Sequence, residues 1–178
     1  MERTKKFEIS DLECLQALVG KKMKDIFYQP VAGMLSDGNM FVVNFGDKKT
    51  EYSLNVFCFM RVRESGEILL NSSDEYFGEY FEKLTAHEHE ESCKKQFKGA
   101  LISKNILLVK ERTKFAKIKS ITVSEVADII IEFDNKIIME VTPDCLFNHY
   151  EYYRFFNTKG ESPHFVVTFS EGKIVISY

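Results

Sequence analysis

Arg61 and Arg154 each interrupt an aromatic, apolar run, Phe59-Met60-Arg61-Val62 and Tyr153-Arg154-Phe155-Phe156. A guanidinium there must be paired or turned toward water, because burying an unpaired charge is costly. One reading makes each arginine a structural ion pair, with Glu67 and Glu151 as the acids at hand. The other brings the two guanidinium groups together as a clamp on a carboxylate or phosphate.

Other chemistry-bearing residues are less organised. His87-Glu88-His89-Glu90-Glu91, with Cys93 nearby, has metal-ligand residue types but lacks the His-Glu-x-x-His spacing that sets two imidazoles on one helical face. It reads as a solvated acidic turn, so no metal is expected. Asp74, Asp128 and Asp144 have no nucleophile or base beside them, and His149 and His164 stand alone. The chain has no phosphate loop, no Gly-x-Gly-x-x-Gly and no Gly-x-Ser-x-Gly. The expectation is therefore a protein that is not an enzyme and needs no cofactor, with an unrecognised hydrolase or nucleic-acid enzyme as an alternative.

Charge is segregated in the middle of the chain. Residues 74–91 carry seven acids against Lys83, and residues 92–119 carry nine bases against Glu111, local balances of -6 and +8. The two segments could neutralise each other side by side, or the basic one could meet RNA, DNA or an acidic protein. Only Phe97 and Phe115 offer stacking there and the net charge of the chain is -3, so nucleic acid is not the expected partner. Glu88, Glu90, Glu91, Lys94, Lys95 and Lys98 are the candidate protein-interaction surface.

The elements that position these residues echo between the two halves. Phe45-Gly46-Asp47-Lys48, Phe59-Met60-Arg61-Val62 and Gly66-Glu67 find counterparts in Phe133-Asp134-Asn135-Lys136, Tyr153-Arg154-Phe155-Phe156 and Gly160-Glu161. Alternation at Phe41, Val43 and Phe45, and again at Ile129, Ile131 and Phe133, predicts strands. The run Tyr52–Val62 is apolar on both faces and reads as a central strand. Glu64-Ser65-Gly66, Asp134-Asn135-Lys136 and Ser170-Glu171-Gly172-Lys173 predict hairpins. Ser10 and Glu13 form a potential capping box for a helix burying Leu12, Leu15, Leu18 and Val19 and ended by Gly20. Tyr76, Phe77, Tyr80, Phe81 and Leu84 predict a second helix, and Ser103–Lys114 a third, with Ile106, Leu107 and Val109 as its apolar residues.

The whole is an α+β single domain of mainly antiparallel sheet, possessing two similar meanders. Its parts are a covering helix at 9–20, a first β block at 23–73, a charged helical insertion at 74–117 and a second β block at 118–178. Sixteen Phe and eight Tyr supply the core of such a sheet protein. Cys14, Cys58, Cys93 and Cys145 show no Cys-x-x-Cys spacing and read as small buried hydrophobes in a reducing cytoplasm. No apolar run is long enough to span a membrane. The last strand, if it lies at a sheet edge, offers a route to a homodimer.

Two blocks resemble a group of small bacterial cytosolic proteins of unknown function. They are Leu54–Val62 with Glu67-Ile68-Leu69-Leu70 and Ser73-Asp74, and Asp128–Phe133 with Met139–Asp144, Glu151–Phe156 and His164–Val167. The chain departs from that group in Tyr153, where Trp is usual, in Thr142, where Phe is common, and across 76–117. The resemblance implies a β fold and a bacterial cytoplasmic origin, and it raises Glu151, Arg154 and His164 as a cluster; with Arg61, singled out above, these are the candidate ligand-binding residues. Small size, mild acidity and missing catalytic motifs favour a protein-binding module of immunity or regulatory type. A small anionic-ligand binder using Arg61 and Arg154 is the alternative.

Overall fold

The computed structural model describes residues 4–30, 39–72, 101–144, 151–160 and 164–177. The helix expected at 76–84, the His87–Glu91 run with Cys93, and Lys94, Lys95 and Lys98 lie outside the described residues, as do Asp74, Cys145 and His149.

In chain order the elements are β1 (Thr4–Lys6), a 3-10 helix (Ile9–Leu18), β2 (Lys22–Pro30), β3 (Asn39–Gly46), β4 (Tyr52–Val56), β5 (Phe59–Glu64) and β6 (Glu67–Asn71). Helix α1 (Leu101–Thr113) follows, then β7 (Ile118–Val123), β8 (Ile129–Phe133), β9 (Ile137–Thr142), β10 (Glu151–Asn157), β11 (His164–Ser170) and β12 (Lys173–Ser177). A seven-stranded sheet runs β1-β12-β11-β10-β4-β3-β2, and a five-stranded sheet runs β6-β5-β9-β8-β7. Every strand pair among the described residues is antiparallel. The fold is therefore α+β with two mainly antiparallel sheets.

The echo in the sequence is an echo in topology. Meander β2-β3-β4 builds one sheet and then sends β5-β6 into the other. Meander β7-β8-β9 builds that second sheet and sends β10-β11 back into the first. Each sheet thus draws strands from both blocks, joined at β4–β10 and β5–β9. The helices follow the same exchange. The 3-10 helix precedes β2 but packs beside β7, and α1 precedes β7 but packs beside β2 and β6. The two helices thus lie beside three of the four sheet edges, β2, β6 and β7. An isolated bridge between Lys22 and Lys117, at the start of each meander, marks the centre of the exchange.

One core serves both sheets. Phe41, Val43, Phe45, Tyr153, Phe155 and Phe165 line it from the larger sheet, and Met60, Val62, Ile129, Ile131, Met139 and Val141 from the smaller. The Tyr153 hydroxyl crosses it and donates to the carbonyl of Ala127 in the β7–β8 turn, at 2.8 Å. Burial holds the Tyr153 phenol well above its usual range, so it remains a donor. Ala127 itself sits at φ 62°, a left-handed conformation rare for a residue with a Cβ.

Several expectations are corrected. The Tyr52–Val62 run is two strands, not one central strand: the chain leaves one sheet after Val56 and enters the other at Phe59, which explains apolar residues on both faces. The first helix is 3-10, with three residues per turn, so Leu12, Leu15 and Leu18 stack in one buried column while Val19 is left exposed. Its capping pair is Glu8 with Asp11, not Ser10 with Glu13. In α1 the buried positions are Ile102, Ile106, Val109 and Thr113, and Leu107 faces solvent. Cys58 is buried as expected, but Cys14 is half-buried, with its thiol pushed up to about 11 chiefly by desolvation. The last strand is not an edge: β12 lies between β11 and β1.

The turns follow the residues. Ser65 and Gly66, with φ 49° and 92°, form the two-residue loop between β5 and β6 that matches strand twist. After β3 the backbone folds so closely that a Cβ on Gly46 would lie 2.0 Å from the Lys49 carbonyl oxygen. Lys21 holds this loop from outside through Asp47 at 2.7 Å and Glu51 at 2.9 Å.

Two stability predictions follow from these contacts. Tyr153→Phe leaves the buried Ala127 carbonyl without its donor and should lower stability by about 1–3 kcal/mol. An unchanged denaturation midpoint would show that the hydroxyl does not tie the sheets together. Gly46→Ala should lower the melting temperature because two backbone segments must separate, and a melting temperature equal to wild type would refute the close approach.

Candidate functional site

Met60 and Val62 of β5 point into the core, so Arg61 and Arg63 between and beyond them point out. On β9, Met139 and Val141 are buried in the same way, and Glu140 points out directly opposite Arg61. Two guanidinium groups share this one carboxylate. Arg61 Nε donates to Glu140 Oε2 at 2.7 Å and its Nη2 lies 2.5 Å from the same oxygen. Arg63 Nε donates to Oε1 at 3.0 Å. Partial burial of Glu140 works against its charge, but the bonds from Arg61 and Arg63 outweigh it and hold the carboxyl below its ordinary value. Arg61 also lies over the Phe59 ring, 6.0 Å from its centroid.

Register places apolar residues around this triad. Ile130 of β8 stands opposite Glu140, and Ile138 and Ile68 stand opposite Arg63 on either side. Ile68 and Ile130 are exposed and Ile138 is half-buried. Farther along the face, Glu132 accepts from Lys119 at 2.7 Å and from Ser120 at 3.1 Å.

Arg154 occupies the equivalent place on the other sheet, where it stands opposite Asn55 instead of a carboxylate. A bulge supplies the missing acid. The register shifts between Glu151 and Tyr153, so Tyr152 and Tyr153 are both buried and Glu151 comes to the outer face three residues before Arg154. Arg154 Nε and Nη2 then grip the two Glu151 oxygens at 2.6 Å each. His164 is on the same outer face, its ring 5.8 Å from that of Phe156.

The two arginines therefore do not converge. Each points away from the shared core on a different sheet, and a clamp built from Arg61 and Arg154 is ruled out by that geometry. Glu151 is the partner of Arg154, as the pairing reading expected. The partner of Arg61 is Glu140, not Glu67, which faces Glu64 at the end of the β5–β6 hairpin. The guanidinium that joins Arg61 is Arg63. Sequence reasoning missed both Arg63 and Glu140. A signal was present: Glu140 breaks Ile137–Val141 just as Arg61 breaks its own strand.

The basic segment is also placed in part. Lys110 pairs with Asp25 at 2.6 Å, Arg112 with Glu64 at 3.2 Å and Lys119 with Glu132. These described cations are thus held by acids of the β blocks. Elsewhere a cleft of about 540 Å³ opens beside Tyr152 and Phe169, rimmed by Lys6, Lys173, Glu125 and Asp144. No group of three or more metal-ligand side chains occurs among the described residues, and no described helix is long and apolar enough to cross a membrane. No protein-family model, curated protein or solved structure matches the chain.

The Glu140 carboxyl has a depressed pKa, so its contribution to stability is present above about pH 4.5, the ordinary value, and is lost as pH falls below it. The stability gap between wild type and Glu140→Gln should accordingly be widest near neutrality and narrow in acid. A gap that stays constant from pH 7 to about pH 3 would show that the charge on Glu140 is not what the arginines hold.

Proposed function

We propose that this chain is a non-enzymatic protein-binding module, of immunity or regulatory type, and that the outer face of its five-stranded sheet is the binding surface. The observation that carries this reading is a contrast between equivalent positions. Val42 on β3 and Ile130 on β8 occupy the same place in the two meanders, yet Val42 is 7% exposed and Ile130 is 42% exposed. Ile68, on the same face as Ile130, is 57% exposed. Exposed isoleucines beside arginine and an aromatic ring have the composition of an interface core.

The flanking ion pairs suit this role. An arginine already oriented by a carboxylate loses less freedom on docking than a free one. The resemblance of the two strand-arginine blocks to small bacterial cytosolic proteins is in keeping with this reading. A second copy of the chain is one partner that the same face could accept, and a protein of the same cell is the one we favour.

The test uses wild type and Ile130→Glu as paired baits in extract from the source cell. Ile130 is outside the core, so the variant should melt within about 0.5 kcal/mol of wild type in stability. Wild type should retain a specific protein that Ile130→Glu loses. Equal retention by both baits would remove this face from the account, and a monodisperse wild-type chain that retains nothing would overturn the binding reading itself.

A further inference from the structure

We infer that the Arg61–Glu140–Arg63 triad recognises a carboxylate side chain of the partner, set within an apolar stretch of the partner's surface. This rests on the protein-binding reading above and goes further, by assigning the chemistry of what docks.

Two guanidinium groups and one carboxylate leave the triad with a surplus of one positive charge. Both Glu140 oxygens are engaged, Oε2 by Arg61 and Oε1 by Arg63. Donors remain. Arg61 uses Nε and Nη2 and Arg63 uses Nε, so among the described residues Nη1 of Arg61 and both Nη groups of Arg63 have no acceptor. Both side chains are more than a third exposed, whereas Glu140 is largely covered. The largely covered carboxylate thus acts as a strut, and the guanidinium edges that it steers are open to an incoming group. A carboxylate fits such edges with paired hydrogen bonds.

The surroundings select among anions. Ile68, Ile130 and Ile138 border the triad, and Lys119 on the same face is already held by Glu132. Nucleic-acid backbones are gripped by many cations at once, each neutralising a phosphate. One surplus charge among isoleucines does not offer that, and the whole chain carries -3. An Asp or Glu flanked by apolar side chains is complementary to both parts of the face. The counterpart on the other sheet lacks this surplus, since Arg154 is bound by both Glu151 oxygens one to one.

The experiment places a photo-crosslinking p-benzoylphenylalanine in the full chain, in the source cell, at one of two positions. Thr122 lies beside Ile130 in register on this face, and Leu107 is exposed on α1. The expected result is a protein adduct from position 122, attached through a segment that contains Asp or Glu among apolar residues. Its yield should fall at least about tenfold in Arg63→Gln, equivalent to about 1.4 kcal/mol. That variant leaves Glu140 still paired with Arg61, and its melting temperature reports that it folds. Lys119→Gln, which removes a cation already neutralised, should leave the yield unchanged.

Other outcomes overturn the proposal in distinguishable ways. An adduct insensitive to Arg63→Gln means that the face binds through its isoleucines alone. An adduct to nucleic acid makes phosphate the ligand, and one to a second copy of the chain makes this a self-association face. Adducts from position 107 but not 122 move the interface to α1. No adduct from either position counts against protein binding altogether.

Discussion

The exchange of strands between the two sheets is the constraint on which everything else depends. At residues 57–58 the chain leaves one sheet for the other, and after β9 it makes the reverse crossing. The first crossing is pinned from the second block: the Tyr152 carbonyl accepts from the backbone N–H of Phe57 at 2.8 Å and of Cys58 at 3.2 Å. Tyr152 is half of the bulge that starts β10, so the irregularity that begins one strand fixes where another changes sheet. Because β4 meets β10 and β5 meets β9, neither half can complete a sheet alone. Both blocks must be folded for either outer face to exist.

That exchange also sets what the outer faces can do. It aligns Arg61 with Glu140 and Arg154 with Asn55, two equivalent positions with different partners. On the seven-stranded sheet a bulge brings Glu151 forward and the arginine is satisfied within its own strand. On the five-stranded sheet the carboxylate comes from the neighbouring strand and reaches a second arginine as well. Like positions have thus become a closed ion pair on one side and an open, positively biased cluster on the other. Surface pairs of this kind contribute little to stability each, which leaves them available for recognition.

Much of the architecture was legible in the residues, and the reason is periodicity. Alternation in Ile129–Phe133 and Ile137–Val141 reads directly as half-buried strands, and Ser65-Gly66 and Glu171-Gly172 read as tight hairpins. The parallel between Phe59–Val62 and Tyr153–Phe156 corresponds to equivalent strands, β5 and β10. What could not be read was which strands pair across the chain. Arg61 and Glu140 are far apart in sequence, and only the crossover brings them within bonding distance, so Glu67 was the nearer but wrong acid. The 3-10 geometry of the first helix was hidden for a related reason: a three-residue spacing of leucines fits both helix types until Val19 is seen to face water. Bulges shift parity without a marker in the residue types, and Tyr152-Tyr153 gave no sign that both rings turn inward.

The most direct test is arginine-specific labelling with phenylglyoxal of the chain, free and bound to the protein it captures. Binding through the five-stranded sheet predicts that Arg61 and Arg63 lose reactivity in the complex while Arg154, on the other sheet, keeps the reactivity that it has alone. Protection of Arg154, or unchanged labelling at Arg61 and Arg63, would contradict the account.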